Sequence, residues 1–528
     1  MPGRDPDPEG PPAGRGPVER GGGWDALVDD LARRRDAARS MGGPERLARQ
    51  RAGGRLDARA RVEALLDPGT FVELGALVGS VTRGVTPPAP ADALVGGHGL
   101  LDGRPVVVAS EDFTVMGGSI GLGTHSKRYR LVQLALQERA PLVMLLDGAG
   151  DRPQNAFERR GREPNDLQAL VAASGRVPLV AAVMGPSAGH GALSAPLMDF
   201  VVMVEGACLF AAGPPLVEAA TGERVGKDEL GGTAVHTMVS GVAHDAVPDD
   251  RAALARVRRY LSYFPSHAWE HPPAGPDDVG VEVTGRRDLE ALVDIVPADP
   301  RRGYDVREVI ELLADAGSVT EVQAAYGQGM VTVLARLGGE PVAVVANQPA
   351  VRAGAVDAEA AGKAAHFLEV AGSFHLPVVF LADNPGVLAG SAAERQGVLR
   401  AAARLFAAQA RVRGPKLHVT LRKAYGFGSS LMAMNPFDGQ TVTLALPGAR
   451  LGAMPAESGA DAARLDAGEA DLLRHAELGG AYGSANTLAY DDVVQPRELR
   501  NALLDALRLA AGRRSVPVEP VAWGGIRP

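Results

Sequence analysis

A single cysteine in 528 residues permits no internal disulfide and no Cys-x-x-Cys pair to hold a structural zinc. That cysteine, Cys208, lies in the apolar run VVMVEGACLF, where a buried small hydrophobe is the expected role. Excess positive charge is missing too. The chain has 55 Lys and Arg against 63 Asp and Glu, a net charge of −8, which argues against nucleic acid as its main partner. No stretch approaches the roughly 20 apolar residues of a membrane span, and the run around Cys208 is broken by Asp199 and Glu205. The first 23 residues, MPGRDPDPEGPPAGRGPVERGGG, lack an apolar core and read as a disordered tail rather than a signal peptide. A cytoplasmic protein is expected. His236 and His244 have no carboxylate at metal-ligand spacing, so no bound metal is expected either.

What the chain has in quantity is glycine, 66 residues of it, placed in a repeat. LDGRPVVVAS from Leu101 is matched by LGGEPVAVVA from Leu337, and the strand PLVMLLD by PVVFLAD. Four landmarks pair across the halves with one constant separation of 236 residues: 105 with 341 (both Pro), 127 with 363 (both Lys), 141 with 377 (both Pro) and 147 with 383 (both Asp). Within each copy short β-branched runs alternate with helical periodicity, such as Leu131, Leu134 and Ala135 or Ala364, Phe367 and Leu368. The helices are expected to open at Lys127 and Lys363. Alternating strands and helices imply crossovers and mainly parallel sheets. The fold class is therefore α/β, two tandem modules with a helical N-terminal arm. Breaker clusters between Pro272 and Arg302 separate them, giving expected domains 24–280 and 281–528 after the tail 1–23.

Three glycine-rich turns follow strands in each copy. They are Met116-Gly117-Gly118-Ser119, with Gly118 paired to Gly354; Asp147-Gly148-Ala149-Gly150-Asp151-Arg152, paired to Asp383-Asn384-Pro385-Gly386; and Gly185-Pro186-Ser187-Ala188-Gly189-His190-Gly191, paired to Lys423-Ala424-Tyr425-Gly426-Phe427-Gly428. Turns with little side-chain bulk expose backbone N–H groups that can stabilise an oxyanion. Tight packing of helix on strand is the competing reading. GGSIGLGTHSK lacks the GK[ST] ending of a nucleotide loop. Gly185-Pro186-Ser187-Ala188-Gly189 fits a G-x-S-x-G elbow, and Asp199 and His236 follow in hydrolase order. Against a hydrolase stand Pro186 before the serine and Ala424 at the matched position.

The stretches ARVEALLDPGTFVEL, DFTVMGGSIG, GPSAGHGALSAP, TGERVGKDELGG, VANQPAVRAGAVD, DNPGVLAGSAAE and LRKAYGFG resemble, in order, the carboxyltransferase (β) subunits of biotin-dependent acyl-CoA carboxylases of the propionyl-CoA carboxylase type, from about Arg46 to Arg514. The resemblance implies a crotonase-like fold repeated twice and a homo-hexamer. It implies acyl-CoA on the N-terminal module and biotin on the C-terminal one, the biotin carried by a separate biotin carboxylase or carrier subunit. The chemistry implied is transfer of CO2 from carboxybiotin to the α carbon of the thioester, through an enolate held by backbone amides. By position, the amides of Ala149 and Gly150 would hold the enolate oxygen, and those of Phe427 and Gly428 the biotin ureido oxygen. Gly117, Gly118, Arg152, Gly185, Ser187, Ala188 and Gly189 would line the acyl-CoA side; Gly390, Tyr425, Gly426 and Ser430 the biotin side. The chain departs from the family's DSGGAR with DGAGDR, adding Asp151. It departs from Gly-Gly-Ala-Tyr-Asp with Gly426-Phe427-Gly428-Ser429-Ser430, replacing glycine by Phe427 and aspartate by Ser430. Decarboxylation of a malonyl-type thioester and a non-catalytic scaffold are the alternative readings.

Overall fold

The computed structural model describes residues 23–79, 89–153, 155, 164–275, 280–521 and 526; the expected tail lies outside these residues except for Gly23. Two eight-stranded mixed sheets dominate. The first contains β1 (Val72–Glu73), β2 (Leu94–Leu101), β3 (Arg104–Glu111), β4 (Leu142–Gly148), β5 (Leu179–Ala188), β6 (Phe200–Val204), β7 (Cys208–Phe210) and β8 (Asp245–Val247). The second contains β9 (Thr320–Val322), β10 (Met330–Leu337), β11 (Glu340–Asn347), β12 (Val378–Asn384), β13 (Lys416–Tyr425), β14 (Val442–Ala445), β15 (Arg450–Gly452) and β16 (Asp492–Val493). The strand order is β1-β2-β3-β4-β5-β6-β8 in one and β9-β10-β11-β12-β13-β14-β16 in the other, with β7 on β5 and β15 on β13. The two orders are the same, so the repeat in the sequence is a repeat of topology. Among the described residues no helix is long and apolar enough to cross a membrane.

Each module begins with an antiparallel hairpin, β2–β3 or β10–β11, and continues with parallel strands. The hairpin turns are Asp102-Gly103 and Gly338-Gly339, all four at positive φ as a tight right-twisted hairpin requires. A carboxylate caps each turn: Asp67 accepts both amides of the first, Asp315 both amides of the second. Side-chain alternation then divides the second sheet between two cores. Val331, Val333, Val342, Val344, Val379 and Leu381 face one cluster, while Met330, Leu334, Ala343, Val345, Val378 and Phe380 face another. That second cluster also holds the first sheet's β3 to β6, so the two modules share a core.

The crossover helices are α1 (Leu122–Gln137) and α2 (Ala358–Ser373). Both open five residues before the expected Lys127 and Lys363. Asp357 caps the second helix by accepting from the Ala360 amide, a start signal that the apolar periodicity alone did not mark. The lysines instead sit inside the helices, buried, with Nζ bonded to carbonyls of the preceding loop and strand. Lys127 reaches Ala91 at 3.0 Å and Leu94; Lys363 reaches Tyr326 at 3.0 Å and Met330 at 2.8 Å. They tie each crossover helix to the start of β2 or β10.

Burial lowers the ammonium of Lys127 to about 8 and that of Lys363 to about 7, against partial opposition from nearby carboxylates such as Glu73 and Glu321. The unfolded chain then binds more protons than the folded one above these values, so both lysines make stability rise with pH until the unfolded lysine titrates, near pH 10.4. In Lys363→Met this rise between pH 7 and pH 10 becomes shallower, by at most about 1.4 kcal/mol per pH unit. Denaturant titrations at several pH values measure it; an unchanged slope would mean the lysine is not desolvated.

Candidate active site

Three loops converge at the C-terminal ends of β3, β4 and β5. After β3, Met116, Gly117 and Gly118 take φ of 50°, 66° and 66°, turning Gly118 onto the carbonyl of Asp147 with no room for a Cβ. Gly354 lies on the carbonyl of Asp383 in the same way. The carbonyl of Gly117 accepts the N–H of Ala149 at 2.9 Å. The Ala149 amide, expected to face an oxyanion, is therefore occupied within the fold. The N–H of Gly150 has no hydrogen-bond partner among the described residues. Gly150 has φ of 84°, and a Cβ there would lie 2.7 Å from the carbonyl oxygen of Ala188, so its backbone rests on the end of β5. At that end Gly189 (φ 57°) opens the short helical turn α3 (Gly189–Ala192), whose first amides have no carbonyl partner within the turn. The amides left without an internal acceptor thus come from two turns, Gly150 in one and the opening of α3 in the other, while the neighbouring Ala149 amide is taken.

Other expected residues of this side are present but differently employed. Arg152 directs its guanidinium inward, to Asp92 at 2.8 Å, the Ser119 carbonyl at 2.8 Å and Ser119 Oγ at 3.2 Å. These bonds fasten the loop. Gly185 leaves space for the buried pairing of Asp147 with Arg55, which any side chain would displace. Ser187 is fully buried, and its Oγ has no hydrogen-bond partner among the described residues. His236 bonds the Leu209 carbonyl and Ser240, while Asp199 accepts from the Leu179 amide and is raised by burial to about 8. Ser187, His236 and Asp199 therefore form no hydrolase triad. Cys208 is buried, as expected.

A cluster that the sequence reading missed adjoins the Gly189 turn. His190 Nε2 lies 2.5 Å from Asp166 Oδ1, and Arg128 donates to the other oxygen of Asp166 at 2.6 Å. His125 packs edge-on against His190, with centroids 4.9 Å apart, and reaches Asp151 Oδ1 at 3.0 Å. Asn155 also donates to Asp151, at 2.8 Å. The added carboxylate of the DGAGDR turn is thus partnered. No spacing signal could have assembled these residues, which come from four separate segments. His125, Asp166 and His190 bring ligand-type atoms within 4.8 Å of one another, but Arg128 already supplies positive charge there.

The second module repeats much of the frame in backbone bonding, although Pro385 at the position of Ala149 has no N–H to donate. Ile120 and Val356 donate to the carbonyls of Gly150 and Gly386, and Arg152 and Leu388 donate back to Ile120 and Val356. Tyr425 is buried at the end of β13, and Gly426 (φ 56°) turns the chain into α4 (Gly426–Leu431). Phe427 has no positive φ and its side chain is exposed, so an ordinary residue fits where the family has glycine. The Phe427 and Gly428 amides lie in the first turn of α4, where no intrahelical acceptor exists. Ser430 is half-buried in the same turn, its carbonyl accepting from Gln409. Gly390, at φ 123°, sits at the exposed start of helix Ser391–Arg395. One difference from the first module is specific: Asn384 Oδ1 accepts the N–H of Gly386 at 3.0 Å, while its Nδ2 donates to Asn347 at 3.0 Å. A Cβ on Gly428 would overlap Asn384 Oδ1 and lie 2.8 Å from Gly386 Cα.

The structure is a duplicated α/β scaffold in which a glycine-opened turn starts a short helix at the end of the same strand of each copy, β5 and β13. Residues 49–519 match the carboxyl transferase domain, and the chain belongs to that family. It is 36% identical over 505 residues to the methylmalonyl-CoA carboxyltransferase 12S subunit of Propionibacterium freudenreichii subsp. shermanii, covering 92% of this chain and 94% of that one. It is 35% identical over 503 residues to the propionyl-CoA carboxylase carboxyltransferase subunit of Haloferax mediterranei, covering 92% and 96%. The solved transcarboxylase 12S hexamer with methylmalonyl-coenzyme A and methylmalonic acid bound superposes with a TM-score of 0.86 at 34% identity, covering 96% of this chain and 100% of that one. The two tandem modules and the carboxyltransferase resemblance are both borne out.

Gly428→Ala restores the family's alanine against an asparagine that leaves it no space. Carboxyl transfer is expected to fall at least about tenfold, an overpacking cost of about 1–3 kcal/mol. Adding Asn384→Ala should recover part of the loss, the contact of the new Cβ with Gly386 Cα remaining. Initial rates with a carboxylated biotin donor measure both; equal rates in the single and double variants would remove Asn384 from the site.

Proposed function

We propose that this chain is the carboxyltransferase component of an acyl-CoA carboxylase, an enzyme of the ligase or transferase class, which places a carboxyl group on the α carbon of an acyl-CoA. The observation that carries the reading is the unpartnered Gly150 amide beside the opening of the Gly189 turn, matched by the Gly426 turn of the second copy. Such preorganised donors stabilise an oxyanion without moving, and removal of one costs about 10²–10³ in rate. In this reading domain 24–280 binds acyl-CoA and domain 281–528 faces biotin borne by a separate biotin carboxylase or carrier subunit. The 12S relative is a hexamer; a homo-hexamer in the cytoplasm, serving fatty acid metabolism without a metal of its own, is the corresponding proposal here.

The buried frame fits a biotin site. Phe427 and Gly428 lie in the first turn of α4, and Gly428 is buried against Gly386. When docked there, carboxylated biotin supplies the carboxyl group and the nitrogen that accepts the α-proton. The protein's own work is electrostatic and positional. Gly150, with the Gly189 turn, holds the thioester oxygen as it becomes an enolate. Phe427 and Gly428 hold the ureido oxygen. Phe427's exposed side chain leaves its amide free to serve, because only the backbone takes part.

Gly150→Ala places a Cβ at φ 84° against the Ala188 carbonyl and must displace the amide. The expected result is a kcat about a hundredfold lower, with a smaller change in KM for acyl-CoA. Incorporation of labelled bicarbonate, with the biotinylated partner, ATP and a panel of acyl-CoAs, measures it. Failure of the wild type to label any thioester would overturn the function. ATP-independent CO2 release from methylmalonyl-CoA would favour decarboxylation instead.

A further inference from the structure

The reaction proposed above asks no side chain of this protein to move a proton, yet a histidine oriented by a carboxylate stands on the very turn that would hold the enolate oxygen. His190 follows Gly189 directly in α3. Its Nε2 is 2.5 Å from Asp166, which is fully buried. Burial pushes the Asp166 carboxyl up, but its bonds to His190 and Arg128 outweigh that and hold it well below the usual carboxylate range. An ionised Asp166 accepts, so Nε2 carries a hydrogen, and in the neutral tautomer this leaves the lone pair at Nδ1. Nδ1 has no hydrogen-bond partner among the described residues.

The surroundings fix this orientation. Arg128 and Asp166 have no exposed side-chain surface and His125 has 8%, whereas His190 has 23%. The His125 ring, held by Asp151, meets the His190 ring edge-on at 73°. Among the described residues the ring nitrogens of the cluster without a partner are Nδ1 of His125 and Nδ1 of His190, and His190 is the more exposed of the two. Nδ1 is four bonds from the residue's own amide nitrogen, so covalent geometry keeps it within about 5 Å of that amide in any rotamer. An acyl thioester whose oxygen is held by this turn has its α carbon in the same neighbourhood. Orientation of imidazole by a buried carboxylate, a free ring nitrogen, and an adjacent oxyanion site are the three parts of an enolising centre.

We propose that His190, positioned by Asp166, removes and returns the α-proton of a bound acyl-CoA, giving this chain a biotin-independent enolisation activity. The proposal rests on the acyl-CoA reading of this site. In the forward step the α C–H bond breaks and a bond forms between Nδ1 and that hydrogen. The electron pair becomes the enolate double bond, and the charge moves to the thioester oxygen under the Gly150 and Gly189 amides. The imidazolium stays paired with Asp166, exchanges its proton with solvent, and returns one to the α carbon. No oxidant, reductant or second substrate is needed.

The intact chain alone, incubated with propionyl-CoA in D2O, should incorporate deuterium at the α carbon, read by mass spectrometry or proton NMR. In His190→Gly exchange should fall about a hundredfold or more, and added imidazole should restore part of it, which also shows that the variant is folded. Undiminished exchange in His190→Gly would overturn the proposal. A wild-type chain that carboxylates propionyl-CoA but exchanges no α-proton would overturn it while leaving the proposed function standing. A chain that neither retains acyl-CoA nor carboxylates it would overturn both.

Discussion

The geometry of both candidate sites depends on one buried carboxylate per module, at the end of the central strand. Asp147 and Asp383 are both inaccessible to solvent. A buried charge must be paired and hydrogen-bonded to be tolerated. Asp147 is met by Arg55 and by Arg61, the latter at 2.8 Å; Asp383 is met by Arg422 at 2.7 Å and by the Tyr304 hydroxyl at 2.9 Å. The same residues are held through their backbones. The Asp147 amide donates to Glu111, the Asp383 amide to Asn347, and their carbonyls receive the close approach of Gly118 and Gly354. Removing either aspartate would strand buried arginine charge at the point where three loops meet. The turns that follow owe their positions to this anchorage, and the amides they present are directed by it.

Those four pairings also explain what the sequence made legible. Asp147 and Asp383 appeared as the last landmarks of a constant 236-residue separation, and the fold keeps every landmark for a reason. The prolines open the hairpin's second strand or precede the next one, the lysines bond carbonyls, and the glycines make room for a neighbouring backbone. Positional constraint of this kind survives divergence and can be read without structure. Partnerships between distant segments cannot. Nothing in the spacing of Asn384 and Gly428 says that one side chain fills the other's missing methyl. Nothing joins His190 to Asp166 and His125 until α1 and the Asp166–Ala173 helix pack beside β5. The internal use of the Ala149 amide was hidden for a related reason. Sequence order put Ala149 beside Gly150, but only the fold shows that Gly117 claims the Ala149 N–H.

The two copies have kept one frame and changed the electrostatics inside it. Glu111 in the first module becomes Asn347 in the second at the same relation to the central aspartate. Glu111 is buried, and burial pushes its carboxyl upward against the opposing influence of Arg128. In the second module the equivalent place is a neutral amide that bonds Asn384 instead. The first module therefore surrounds its turn with an ionic network running from Glu111 through Arg128 to Asp166 and His190. The second places an Asn347–Asn384 amide pair at that position, beside the ion pairs of Asp383 with Arg422 and Lys423.

This division bears on why Asn384 occupies a Gly386 amide that its counterpart Gly150 leaves open. An N–H directed into a pocket attracts any carbonyl or anion that enters it. Under the proposed function the first module uses its open amide to capture the thioester oxygen. An open Gly386 amide would add a competing donor beside Phe427 and Gly428; Asn384 satisfies it internally, which leaves the first-turn amides of α4 as the donors there. The side chain that does so needs the space of a methyl group, and Gly428 supplies it. Glycine at 428 makes the asparagine possible, and the asparagine decides which amides remain open.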